Sequence, residues 1–476
     1  MTPEANRQHH SAVWLILVIH AGLLARIAVV NAPVFDECAH LPSGLSHWQT
    51  GTFDLYLVNP PLVRMLASLP VLCVNSQGDW PVEATHPYDR PEFPAAYQFL
   101  RTNKETFLWF FTLARWALIP VSMFGGWICF RWSRELYGTA SGFVSLALWC
   151  FCPDVLAWGA TIMPDAGAAA FGVCAGYTFW RWLQNPVWGR ALIAGLALGL
   201  CELTKTTWIV LFPLWPVIWL SSRVRRDYET RQSAPLSQML AIVLLAVYVV
   251  NLGYGLEYSF QRLGSFHFIS RTLGGPEAHT DSGNVFRETP LEAIRVPFPA
   301  NYVRGMDVQK YELEKGKWSF LRGEHRHGGW WYYYLYALAV KTPLGTLSLL
   351  VIAGCLTVFR ADYRIPVSGE LCVLVPAAAI LVLVSSAGWF QQIPAIRSAG
   401  DPESACFRRP RRPVIHLRHR SLQVICGISL LSGVVGSLSV FPHSMSYFNL
   451  AAGGPSARVP GTCWMRTLTG DRICLN

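Results

Sequence analysis

The stretch LSQMLAIVLLAVYVVNLGYG, residues 236–255, contains no charged side chain. A helix needs about 20 predominantly apolar residues to cross the hydrocarbon core of a bilayer, and this run has that length. Residues 422–441 form a second uncharged run of the same kind. Of the 476 residues in the chain, 52% are hydrophobic and 14% are charged, whereas soluble domains carry roughly 25% charged residues. We therefore expect an all-α polytopic membrane protein.

Ten apolar runs are predicted to span the membrane. They are residues 12–31, 106–130, 137–152, 166–183, 191–203, 206–220, 236–255, 334–359, 371–390 and 422–441. The fifth and sixth runs are short, so one bent hairpin is an alternative to two separate spans. The first run lacks a small-residue cleavage site and is expected to remain as a span.

The arginines predict the orientation of these spans. They cluster in alternate short connections, which is the distribution of cytoplasmic loops. The chain has a formal net charge of +10. Because the arginines lie in short clusters between apolar runs, we expect them to bind anionic lipid headgroups and not nucleic acid. The long segments 32–105 and 256–329 then face outward, as they would in a bacterial inner (plasma) membrane.

Several known kinds of site are missing from the sequence. The 13 cysteines include no CxxC pair and predict neither a zinc site nor a disulfide framework. No phosphate-binding GxxxxGK[ST] or dinucleotide-binding GxGxxG motif is present. An outward-facing site would not meet nucleotide donors, so an activated sugar would have to arrive on a lipid.

Three carboxylates are predicted at the outward face. Asp36 and Glu37 come where the first span leaves the membrane, a depth at which acidic residues are candidates for function. A solvated start of the loop is the alternative reading for this pair. Asp165 precedes the fourth span, where it could instead cap the helix.

Cations are predicted near the same face. Lys205 lies at the tip of a hairpin and Lys341 within the eighth run, and each could bind a phosphate or extend to the membrane surface. Arg115, inside the second span, requires a partner. Arg64 follows the extended turn at Asn59 and lies at the start of a predicted amphipathic helix, residues 63–74. If this helix lies on the membrane, the Arg64 side chain would extend to the membrane–water interface.

Taken together, these groups suit transfer of a sugar from a phosphate carrier. Such a reaction needs a carboxylate that accepts a proton from the acceptor and cations that stabilise the departing phosphate. The aromatic cluster that begins at Trp330 and Trp331 could line the substrate or form an interfacial belt.

The motifs also resemble a known family. Asp36-Glu37-Cys38-Ala39-His40, Asn59-Pro60-Pro61-Leu62, Met163-Pro164-Asp165, residues 195–205 and residues 330–343 occur in the order seen in GT-C type polyprenol-phosphate-sugar glycosyltransferases. That family includes the protein O-mannosyltransferase, aminoarabinose-transferase and Rgt-like groups. The resemblance covers most of residues 10–360.

The resemblance implies a GT-C-like multi-helix bundle with outer-face loops, short amphipathic helices and hexosyl- or pentosyltransferase activity. It implies a polyprenyl-phosphate-linked sugar donor and a protein, lipid or glycan acceptor. The implied catalytic residues are Asp36, Glu37 and Asp165, and the implied substrate-binding residues are His40, Asn59, Arg64, Lys205, Trp330, Trp331 and Lys341. No cofactor is required, but the resemblance allows a divalent cation at Asp36 and Asp165.

The sequence departs from the family pattern near its end. A shifted reading frame across residues 394–407 permits Leu-Arg-Tyr-Val-Leu-Pro-Ala-Ile-Pro, and a second shift within 462–475 permits Leu-Leu-Asp-Ala-Asn-Ile-Asp-Trp-Gly-Gln-Asp; both runs are family-like. We therefore divide the chain into a transferase module at 1–390, a frameshifted segment at 391–420, a last span with the start of an outer segment at 421–456, and a frameshifted tail at 457–476.

Three other functions remain open at this stage. A transporter or flippase would be expected to show internally repeated halves, which the sequence lacks. A membrane scaffold would not need outward-facing acids. A catalytically inactive GT-C remnant would follow if the frameshifts are genuine.

Overall fold

The computed structural model describes residues 3–74, 76–80, 89–224, 234–278, 282–316, 318–360, 367–389 and 420–454. Within these ranges the regular structure is helical apart from one two-stranded hairpin. The predicted frameshifted tail at 457–476 lies outside the described residues, as does the segment 391–420 except for Arg420.

Seventeen α-helices occur in the described ranges. They are α1 (Pro3–Val30), α2 (Phe35–Thr50), α3 (Leu62–Leu72), α4 (Glu92–Thr102), α5 (Phe107–Tyr137), α6 (Thr139–Cys150), α7 (Pro153–Gly159), α8 (Pro164–Gln184), α9 (Trp188–Glu202), α10 (Leu211–Val224), α11 (Leu236–Gly253), α12 (Arg271–Gly274), α13 (Ala300–Lys315), α14 (Tyr333–Lys341), α15 (Leu344–Phe359), α16 (Val367–Trp389) and α17 (Arg420–Leu438). Strands β1 (Trp318–Leu321) and β2 (Glu324–His327) pair antiparallel. Short 3₁₀ turns lie at Thr206–Val210, Leu263–Ser265, Ser444–Ser446 and Leu450–Ala452.

The helices confirm the prediction of a multi-pass membrane protein. Every predicted span contains helix, because a segment without access to water must satisfy its own backbone groups. By length and composition, four helices of the described chain can cross a membrane alone: Gln8–Val30, Phe107–Tyr137, Leu236–Gly253 and Arg420–Leu438. The number rises to six if each of two bent helix pairs counts as one span, and the other four of the ten predicted runs do not meet the criterion.

The predicted eighth span, residues 334–359, is not one straight helix. α14 and α15 meet at an angle of 111°, because Pro343 cannot continue the hydrogen-bond ladder of the helix before it. The predicted third span is also bent, by 55° between α6 and α7. The fifth run forms α9, and the sixth forms the 3₁₀ turn Thr206–Val210 followed by α10. The residues around Lys205 lie between α9 and this turn.

Buried polar groups and small residues hold the bundle together. His20 of α1 is buried, with Nδ1 lying 2.8 Å from the carbonyl oxygen of Cys150 and Nε2 lying 2.9 Å from the hydroxyl of Ser122. On α9, a Cβ at Gly195 would lie 2.9 Å from the Ile242 oxygen of α11. Small residues allow such close approach between membrane helices.

The surface of the long helices is apolar. Exposed side chains include Leu15 and Val18 on α1, Leu240 and Leu244 on α11, and Leu431 on α17. Apolar surface of this extent is expected to face lipid.

The second outer segment is folded against the bundle. Asp307 of α13 accepts backbone N–H bonds from Ile269 (2.7 Å) and Ser270 (3.1 Å). Asn251, at the end of α11, donates from Nδ2 to the Pro297 oxygen at 2.9 Å. These bonds hold the segment around α13 against the end of α11.

The first outer segment depends on a close crossing of α2 and α3. A Cβ at Gly44 would lie 2.3 Å from the backbone oxygen of Arg64 and 2.8 Å from the hydroxyl of Ser68. The backbone oxygen cannot move without moving α3.

We predict that Gly44→Ala lowers the thermal unfolding temperature in detergent, because overpacking costs about 1–3 kcal/mol. Gly22→Ala is the matched control, since no atom lies within 4 Å of a Cβ at Gly22 on α1. Equal unfolding temperatures for the two variants would contradict the close crossing.

Candidate functional site

A buried ion pair joins α2 to α5. The Glu37 carboxylate accepts hydrogen bonds from Arg115 Nη2 at 2.6 Å and Nε at 2.9 Å. Its oxygens also accept the backbone N–H groups of Val34 and Ile162, each at 2.8 Å. Both side chains are buried, and Arg115 therefore has the partner that its depth requires.

The remaining donors of Arg115 bind the end of the first helix. Its guanidinium donates to the carbonyl oxygens of Ala28 (2.9 Å), Asn31 (2.7 Å) and Ala32 (3.3 Å). The pair thus joins α1, the start of α2, α5 and the turn before α8. Glu37 has no exposed surface, whereas its neighbour Asp36 is partly exposed.

Asp165 and Lys205 are in direct contact. Lys205 Nζ donates to Asp165 Oδ1 at 2.7 Å, and the two side chains are 32% and 38% exposed. Asp165 lies in the first turn of α8, three residues after the Ile162 amide that binds Glu37. The first turns of α2 and α8 are therefore on the same side of the bundle.

The turn that carries Lys205 is also held by α13. Thr206 donates from its hydroxyl to Gln309 Oε1 at 2.7 Å. Tyr302 donates from its hydroxyl to Glu202 Oε2 at 2.9 Å, and Glu202 is fully buried. The sequence analysis did not identify these contacts, since they join residues about 100 positions apart.

Arg64 faces inward, so the prediction that it reaches the membrane interface was wrong. Its guanidinium donates to the carbonyl oxygens of Tyr56 (3.1 Å), Val58 (3.3 Å) and Asn59. It also lies 4.2 Å from the centre of the Tyr56 ring. Asn59 has a φ of 63°, and its carbonyl is fixed by this bond. These contacts order the turn before α3.

His40 is buried beside the same tyrosine. His40 Nε2 lies 3.5 Å from the Tyr56 hydroxyl. Burial, followed by the nearby cations Arg64 and Arg90, lowers the pKa of His40 well below its usual value. Burial and Arg64 also lower the pKa of His47 to about 3. Both imidazoles are thus neutral at physiological pH.

Arg90 is a further cation that the sequence analysis missed. It forms ion pairs with Glu92 and with Glu312 of α13, and its guanidinium lies 5.9 Å from the centre of the Tyr56 ring. The sequence around Arg90 shows no motif, so nothing local distinguishes it. Arg64 and Arg90 therefore both lie near the Tyr56 ring.

Lys341 is held by the residues that follow α17. It donates to the Met445 oxygen at 3.1 Å and lies 3.9 Å from the centre of the Phe448 ring. In the described chain, none of its hydrogen bonds or ring contacts is made to the Asp165–Lys205 pair. Its role in binding the substrate stays a prediction.

The two predicted aromatic residues differ in exposure. Trp330 is partly buried and Trp331 is 51% exposed. Trp331 packs edge-on against Tyr332, with ring centres 5.7 Å apart. These positions suit the belt reading better than the substrate-lining reading.

A metal centre at Asp36 and Asp165 does not fit the described donors. Within the described ranges, no three His, Cys, Asp or Glu side chains form a group that could hold a metal ion. Asp165 is also paired with Lys205, which competes with a cation for its oxygens. No reaction step below is routed through a metal.

Part of the chain matches a known family. Residues 110–253 match the model of the family described as dolichyl-phosphate-mannose-protein mannosyltransferase. The match extends from α5 to α11 and confirms the resemblance to GT-C type glycosyltransferases. No curated protein matches the chain.

Two solved structures are similar to the chain. ArnT from Cupriavidus metallidurans, bound to undecaprenyl phosphate, has a TM-score of 0.39 and 15% identity over 80% of this chain and 62% of that one. The S. cerevisiae protein O-mannosyltransferase Pmt1-Pmt2 complex, bound to the sugar donor, has a TM-score of 0.34 and 18% identity over 52% of this chain and 32% of that one. The chain spans less than two thirds of either.

We predict that Arg115→Met prevents stable folding, because it leaves the Glu37 carboxylate buried without its main partner. Breaking a buried ion pair costs about 3–5 kcal/mol, a large part of the stability of a typical domain. The measurement is the yield of monodisperse protein after detergent extraction. Arg101→Met, at an exposed position of α4, is the control, and an equal yield for both variants would refute the structural role of the pair.

Proposed function

We propose that this protein transfers a hexosyl or pentosyl group from a polyprenyl-phosphate donor to a hydroxyl acceptor. The observation that carries the proposal is the position of Asp36 relative to the Asp165–Lys205 pair. The buried Glu37 carboxylate binds Ile162, so it holds the first turn of α2 beside the turn that leads into α8. We therefore expect the partly exposed carboxylate of Asp36 and the partly exposed ammonium group of Lys205 to face the same side of the bundle.

In the proposed reaction, Asp36 acts as the general base. Its carboxylate accepts the proton of the acceptor hydroxyl as the oxygen forms a bond to the anomeric carbon of the sugar. The bond from that carbon to the phosphate oxygen breaks, and polyprenyl phosphate leaves with the bonding electrons. One proton moves to Asp36, and the extra negative charge moves to the leaving phosphate.

Lys205 is the proposed partner of that phosphate. An exposed ion pair contributes about 0–1 kcal/mol, so Lys205 can exchange Asp165 for a phosphate at little cost. Asp165 then positions the ammonium group in the absence of donor. Gln309 and Tyr302, through Thr206 and Glu202, keep the turn in place during this exchange.

Glu37 is proposed to position Asp36 and not to react. Both of its oxygens are used by donors from Arg115, Val34 and Ile162. Arg64, His40 and Asn59 are proposed to shape the wall beside the site, since each is held by the turn before α3.

The proposed site faces away from the cytoplasm of a bacterial plasma membrane. Arg131 and Arg134 lie near the junction of α5 and α6, and Arg181 and Arg190 lie near that of α8 and α9. These junctions are at the helix ends opposite to the start of α8. Arginine-rich connections are typically cytoplasmic, which supports an outward site.

We predict that Asp36→Asn lowers sugar transfer on the order of 10²–10⁴-fold, the usual contribution of a general base. The assay supplies membranes with radiolabelled polyprenyl-phosphate sugar and measures label in the acceptor fraction. Asp54→Asn is the control, because Asp54 is an exposed acid of the same outer segment. Unchanged transfer by Asp36→Asn would remove it from the mechanism, and label that crosses proteoliposomes without a covalent product would favour a transporter.

We predict that Lys205→Met lowers kcat roughly 10²–10³-fold, the usual effect of removing one group that stabilises a developing anion. Lys205→Arg is expected to retain part of the activity, since it preserves the charge. Lys104→Met, at an exposed position, controls for general loss of positive charge. Full activity of Lys205→Met would exclude the proposed phosphate contact.

A further inference from the structure

The bend between α14 and α15 determines how α14 meets the membrane. The two helices meet at 111°, whereas membrane-spanning helices tilt on average about 20° from the bilayer normal. If α15 crosses the bilayer, α14 runs close to the membrane plane. α14 therefore does not continue the span; it lies along the membrane surface.

One side of α14 is apolar and uncovered. Tyr334, Leu335 and Leu338 are all exposed large side chains, and Leu338 shares a helix face with the other two because it lies four and three positions after them. Trp331, just before the helix, is also exposed. An in-plane helix with an aromatic and leucine face is the arrangement of an interfacial membrane helix.

The hairpin of β1 and β2 extends this surface. Trp318 is 70% exposed at its open end, opposite His327. Arg322 and Gly323 form its two-residue turn, with φ values of 53° and 93°, as a tight hairpin turn requires. The Arg322 guanidinium lies 4.6 Å from the centre of the Tyr336 ring, so the turn of the hairpin rests on α14.

We propose that Trp318, Trp331, Tyr334, Leu335 and Leu338 form an interfacial platform that lies in the outer headgroup layer and binds anionic phospholipids. The hairpin supplies the charge, because its two arginines, Arg322 and Arg326, outnumber its single acid, Glu324. Basic residues at a membrane surface attract anionic headgroups, and tryptophan and tyrosine favour the interface.

The position of the platform favours a lipid surface over a protein partner. α14 is joined through Pro343 to the apolar helix α15, so the platform is within reach of the bilayer that α15 enters. This placement follows from α15 and is independent of the proposed transferase reaction.

The test places a photoactivatable phenylalanine analogue at position 318 or 331 of the full chain. Each protein is reconstituted in mixed vesicles of phosphatidylethanolamine and phosphatidylglycerol and irradiated, and its adducts are identified by mass spectrometry. Position 97 is the control, because Tyr97 is 64% exposed on α4 but is not part of the platform. We expect phospholipid adducts at 318 and 331 and none at 97.

Charge selectivity is tested in the same vesicles. We expect phosphatidylglycerol to be enriched roughly fivefold among the adducts relative to the vesicle, as one surface arginine would produce. Arg326→Gln, at an exposed position, should lower the enrichment while lipid adducts persist. Adducts at 318 and 331 to a second copy or another protein, an absence of lipid adducts there, or an enrichment unaffected by Arg326→Gln would overturn the proposal.

Discussion

The relative positions of α1, α2, α5 and the turn before α8 depend on the burial of one carboxylate. Removing a carboxylate and a guanidinium from water costs several kcal/mol per ion, and this cost is offset only if each oxygen and each N–H finds a partner. The Glu37–Arg115 pair meets that requirement with donors from α2, α5 and the turn before α8 and with acceptors at the end of α1. Four parts of the chain are therefore fixed relative to one another at the level where Asp36 becomes accessible to water.

The segments 32–105 and 256–329 also hold this arrangement in place through their described residues. α13 contacts both turns of the site: a Cβ at Gly305 would lie 2.2 Å from the Leu57 oxygen, and Gln309 binds Thr206. The polar stretch after α17 performs a similar task at the α14–α15 bend. Asn449 donates to the carbonyl oxygens of Ala339, Val340 and Thr342, which a helix end would otherwise leave without partners.

The two lysines near these regions are held differently. Asp165 and Lys205 are both partly exposed, and an exposed ion pair is weak enough to exchange one partner for another. Lys341 is held by Met445 and Phe448 at a bend whose carbonyl groups are already satisfied. This contrast is the reason why the proposed phosphate contact is given to Lys205.

The sequence by itself determined the helical membrane class, the ten helical regions and the acidic and basic residues that gather near α2, α8 and α9. Apolar runs must form helices in lipid, since no water satisfies their backbone, and this rule needs no tertiary information. Only the tertiary structure distinguished buried Glu37 from partly exposed Asp36, turned Arg64 inward, paired Asp165 with Lys205 and joined Lys341 to Met445. Consecutive residues of a helix point in different directions, so which of them is buried depends on the helices packed against it.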